Sequence, residues 1–173
     1  MKVGKNIEKK LDELSFKRLS MEYYRALELL YSNYISYRFR EHIENENIKN
    51  YYNFEKEISK KVNQELKPVH DMFNYVKKSI FEYLDNPENF KDPVVFKYYV
   101  KSLVNQFEKT NSFFEKHVMP YLCQKLENRK ANIVSYDKAN KKIYFFYTNR
   151  YEEMNNLYKT MQMITEKLKK AIS

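Results

Sequence analysis

Glycine is almost missing from this chain: Gly4 alone stands among 173 residues. Dinucleotide-binding turns and phosphate loops need glycine where the backbone approaches phosphate or takes a positive φ, so neither can be built here. Cysteine is equally scarce. Cys123 alone forms no internal disulfide, and the chain does not open with a charged, then apolar, then small-residue signal pattern, which together lead to the expectation of a cytoplasmic protein. Long apolar runs are lacking too. Lys, Glu or Asn breaks every stretch well short of the roughly 18 residues that cross a bilayer, so a soluble chain without membrane contact is expected. No internal repeat, low-complexity tract or linker divides the sequence, and its 43% hydrophobic content suffices for one core over residues 1–173.

The formal net charge is +9, unevenly spread. Residues 1–92 carry 17 Lys+Arg against 16 Asp+Glu, and residues 93–173 carry 15 against 7. A basic half points to an acidic partner, nucleic acid foremost. Against this, the basic residues are 26 Lys and 6 Arg, alongside 18 Asn and 17 Tyr, a mixture that an AT-rich genome produces without selection for binding. Lysine is also the poorer residue for bidentate recognition.

Periodicity predicts helices almost throughout. Ile7, Leu11 and Leu14 form a narrow stripe on a first helix over 5–18. From Ser20 to Glu46 apolar residues go nearly all the way round, with Tyr23, Leu27, Leu30, Tyr34 and Tyr37 on one side and Tyr24, Tyr31 and Ile35 on another, as a helix in the middle of a bundle requires. Ile58, Val62, Leu66, Val69, Phe73, Val76, Ile80 and Tyr83 hold one seam straight through Pro68, which predicts a helix over 52–85 kinked there, with two helices meeting at that point as the alternative. "DNPENFKDP" (85–93) is the clearest break, after which Asp92 and Pro93 read as an N-cap and first helical residue. "SFFE" (112–115) has the form of a capping box and predicts a fresh helix bending near Pro120 and ending near Asn128, with a single long helix as the alternative.

The exception is "NIVSYDKANKKIYFFYT". Two β-prone runs flank a polar loop of hairpin length, predicting a β-hairpin near 133–147 with Ile143, Phe145 and Tyr147 on one face and Tyr144 and Phe146 on the other. "NRYE" (149–152) then caps a last helix carrying Leu157, Met161, Ile164, Leu168 and Ala171. The expected fold is a mainly all-α, single-domain bundle of five or six helices with one hairpin inserted.

Chemistry-bearing patterns are few. His42 and Glu46 have the i, i+4 spacing of metal ligands, but the repeated Glu-x-x-His pairs of a di-iron bundle are missing, so neither metal nor cofactor is expected. Cys123, at helical spacing from Met119 and Leu126, reads as core, and no nucleophile elbow surrounds any serine. Arg38 and His42 raise a remote alternative. Small helical ribonucleases of the HEPN type place four to six residues between an arginine and a histidine that act on the RNA phosphate. Here three intervene, and Phe39 stands where a polar residue belongs, so no membership follows.

The candidate binding surface is therefore the basic, aromatic C-terminal half: Lys125, Arg129, Lys130, Lys138, Lys141, Lys142, Tyr144, Phe146 and Arg150, an assembly of cations and stacking rings suited to single strands. The expected function is non-catalytic binding of nucleic acid or a nucleoprotein complex, in the manner of a regulator or inhibitor from a phage or mobile element. The tyrosine abundance supports the alternative, a helical protein–protein adaptor or self-associating protein that touches no nucleic acid.

Overall fold

The computed structural model describes residues 11–45, 51–131 and 138–172. They form five helices: α1 (Glu13–Asn45), α2 (Tyr51–Glu65), α3 (Lys67–Leu84), α4 and α5 (Lys138–Ile172). Helix α4 is one continuous rod built from Pro93–Phe113, a π turn at Phe114–Val118 and Met119–Ala131. A 3₁₀ turn, Pro87–Phe90, joins α3 to α4.

Helix α1 is central. It packs most extensively along α5 and also touches α2 and α3, while α4 packs on α5 and α3. Its wide apolar surface explains the position, since Tyr23, Leu27, Leu30, Tyr34 and Tyr37 are all buried. Tyr23 stacks on Phe107 of α4 with ring centroids 3.7 Å apart. At one end of the bundle Phe16 meets Tyr83 and Phe96 edge-on. The helices expected over 5–18 and from Ser20 to Glu46 are one within the described residues, α1 running unbroken from Glu13: Asp12 caps it by accepting from Ser15 N at 2.7 Å, and Leu14 is 80% exposed. Ile7 lies outside the described residues.

All eight seam residues from Ile58 to Tyr83 are buried. The predicted kink at Pro68 is a one-residue interruption at Leu66, bridged by Leu66 N donating to Val62 O and His70 N to Leu66 O. Proline sits in the first turn of α3, where its missing donor costs nothing. Asp92 caps α4 as expected, its Oδ1 accepting from Val94 N at 2.8 Å.

Two expectations fail for one reason each. No new helix starts at "SFFE": α4 runs through, and Met119 N donates to Phe114 O five residues back. Pro120 supplies the cause, because in a regular α-helix its ring would press on the carbonyl of Lys116, and widening the preceding turn relieves that clash. The β-hairpin is the larger correction. Its first run, 132–136, lies outside the described residues, while 143–148 lies inside α5, so "NRYE" caps nothing. The apolar seam wins over local β-propensity: Tyr147, Met154, Tyr158, Met161, Ile164 and Leu168 are buried at helical spacing, and packing along α1 rewards only that period.

A buried polar chain crosses the middle of the bundle. Tyr23 Oη donates to Asn111 Oδ1 at 2.8 Å, Asn111 Nδ2 to Thr165 Oγ1 at 2.9 Å, and Thr165 Oγ1 to Met161 O at 2.8 Å, linking α1, α4 and α5 in one register.

Candidate nucleic-acid interface

At the end of the bundle away from Phe16, the second half of α1, the last turns of α4 and the first turns of α5 converge. Their meeting point is aromatic. Tyr147 is fully buried and meets Tyr37 edge-on, with centroids 4.8 Å apart. Guanidinium groups lie on the surrounding rings: Arg129 over Tyr147 at 3.7 Å, Arg40 and Arg150 over Phe146 at 4.0 and 5.2 Å, and Arg38 over Tyr121 at 4.4 Å. A planar, delocalised cation stacks on a ring face and keeps its edge donors for other partners, which an ammonium does less well. Lys125 shares the Tyr121 ring, at 5.5 Å.

Beneath this layer lies a buried acid. Glu41 of α1 is 4% exposed, and its Oε1 accepts from Tyr121 Oη at 3.0 Å. Burial pushes its carboxyl above the ordinary carboxylate value, while the Tyr121 hydroxyl, Lys125, Arg38 and Arg129 pull the other way. The Tyr121 hydroxyl is itself pushed up by burial and then by the Glu41 charge. Glu41 thus sets a buried carboxyl group under a rim of cations.

The residues singled out in the sequence divide. Arg129, Phe146 and Arg150 come together, with Lys125 one ring away. Lys142, Phe146 and Arg150, at i, i+4 and i+8, share a face of α5, with Lys142 exposed at its edge. Lys130 is exposed at the end of α4, and Lys141 is half-buried. Lys138 opens α5. The pairing of Tyr144 with Phe146 on one face is corrected: two residues apart on a helix they point some 200° apart. Phe145, assigned to the buried strand face, is 59% exposed.

Sequence reasoning missed Arg40, Tyr121 and Glu41. The available signal was arginine itself. In a chain that uses lysine four times as often, four of the six arginines (Arg38, Arg40, Arg129 and Arg150) gather at this end. Cys123, read as core, is exposed, and its thiol donates to Tyr151 Oη at 2.9 Å. His42 turns to Glu65 of α2, at 3.2 Å, and Glu46 lies outside the described residues. No described helix is long and apolar enough to cross a membrane. Set against known protein families, curated proteins and solved structures, the chain matches none of them.

Proposed function

We propose that this chain binds single-stranded nucleic acid, without cleaving it, across the arginine-lined end where α1, α4 and α5 meet. The supporting observation is the concentration there of four of the six arginines, each laid on an aromatic ring. Codon bias toward lysine does not account for arginine at these positions. The exposed Arg150 and the lysines Lys125, Lys130 and Lys142 meet phosphates, and Phe145 offers a face on which a base stacks.

The test is binding of labelled single- and double-stranded DNA and RNA at two salt concentrations, by the native chain and by a Lys142→Glu, Arg150→Glu variant. These two side chains are exposed, so the fold tolerates the change. Affinity should fall with salt, and removing two phosphate contacts should flatten the log–log slope by about 1.4. Failure of every strand to bind at low salt overturns the reading. RNA degraded on long incubation, with loss of cleavage in Arg38→Ala, would instead support the ribonuclease alternative.

A second reading rests on α4. Val94 and Tyr98, at i and i+4, are 78% and 69% exposed, an apolar patch suited to a protein partner. Binding through it would be nearly indifferent to salt and weakened by Tyr98→Ala.

A further inference from the structure

At the edge of the arginine–aromatic face, two basic groups of α1 converge on a single oxygen. Glu65 Oε2, at the last residue of α2, accepts from Arg38 Nη2 at 3.1 Å and from His42 Nε2 at 3.2 Å. Arg38 and His42 stand one helical turn apart, which aims both at one point.

The two sides of this contact differ in kind. Arg38 is held independently of Glu65: its side chain is 16% exposed, lies on the Tyr121 ring, and donates from Nη1 to Tyr34 Oη at 2.8 Å. Its Nε is buried and has no hydrogen-bond partner among the described residues. Glu65 is 40% exposed, at the last residue of α2 and just before the interruption at Leu66. A prearranged donor pair is met by a terminal acceptor. To a guanidinium, a carboxylate oxygen and a phosphate oxygen present the same kind of acceptor, and arginine suits the phosphate at least as well.

We propose that Arg38 and His42 form a phosphate-binding site, and that Glu65 occupies its acceptor position in the free protein as an internal competitor. The phosphate of a bound strand displaces the Glu65 carboxylate and takes both hydrogen bonds. This deepens the nucleic-acid reading, because Arg38 and Lys125 share the Tyr121 ring and so join the site to that face. The ligand chemistry, a phosphate group, stands apart from it.

The experiment titrates the full chain with inorganic phosphate, followed by NMR shifts of the α1 amides, and with a labelled strand. Four proteins are compared: native, Glu65→Gln, Glu65→Gln with Arg38→Gln, and Glu88→Gln. The last removes the same charge from an exposed ion pair with Lys91, at 2.6 Å, far from this face, and so controls for net charge. Glu65→Gln should bind phosphate about fivefold more tightly, the scale of an exposed ion pair, and the added Arg38→Gln should erase that gain. A Glu65→Gln protein that melts like the native chain yet binds phosphate no better than Glu88→Gln overturns the proposal. Should Glu65→Gln melt early, Glu65→Asp, which keeps the charge but withdraws it by one methylene, carries the same expectation and the same refutation. Strand binding that Glu65→Gln leaves unchanged, together with no phosphate gain, sinks this proposal alone. A phosphate gain in a protein that binds no strand upholds this site and sinks the nucleic-acid reading.

Discussion

Arg40 of α1 lies over the Phe146 ring of α5, its guanidinium carbon 4.0 Å from the ring centre, and Arg150 approaches the same ring at 5.2 Å. Half-buried between α1 and the surface, Phe146 fastens the first turns of α5 to the central helix. A double-mutant cycle of Arg40→Met and Phe146→Ala should therefore show a coupling of about 0.5–1 kcal/mol in urea unfolding. Strictly additive effects would mean that the two groups are neighbours without attraction.

Asn111 connects Tyr23 to Thr165 from a buried position, and apolar packing does not replace its two hydrogen bonds. Asn111→Ala should cost about 2 kcal/mol, a fall in Tm of roughly 4–8 °C by calorimetry. A shift under 1 °C would show that the chain of hydrogen bonds sets no register among α1, α4 and α5. Much of that stability should survive in Tyr23→Phe, which keeps the Phe107 stack.

Glu41 makes stability depend on pH in an unusual direction. Burial raises its folded pKa above the ordinary value of 4.5, so the native state holds the proton more tightly than the unfolded chain does. That contribution is fully present below the unfolded value and is lost as pH rises through the folded one. Glu41→Gln keeps an acceptor for the Tyr121 hydroxyl but removes the titration. Between about pH 4 and about pH 7 the urea midpoint of the native chain should fall relative to that of the variant. Parallel profiles would show that the rim cations fully offset the burial of the charge.

The all-helical character and the packing faces were legible where burial followed a single period. The seam from Ile58 to Tyr83 survives Pro68 because the proline falls in a first turn, where neither its ring nor its missing donor matters. The run "IYFFYT" misled because local propensity favours strand for Ile, Tyr and Phe, whereas the seam that Tyr147 opens and Met154, Tyr158 and Met161 continue is buried at helical spacing and sets the segment as helix. Of the site, Arg129, Phe146 and Arg150 could be found from local composition. Arg40 and Glu41 could not, since they reach the site only through the packing of α1 on α5, a relation that no short window contains. Glu65 was hidden for the same reason, two helices joined by one shared oxygen.

The π turn ahead of Pro120 works as an angular offset within a single rod. One residue added to a turn rotates everything beyond it by about 100°. The face of α4 that carries Phe107 and Asn111 into the core is thereby decoupled from the face that brings Tyr121 and Arg129 onto α1 and α5. Shortening 114–118 by one residue would restore the plain helical phase and swing those two side chains off their partners. A proline inside the helix is what lets one rod serve two differently oriented surfaces.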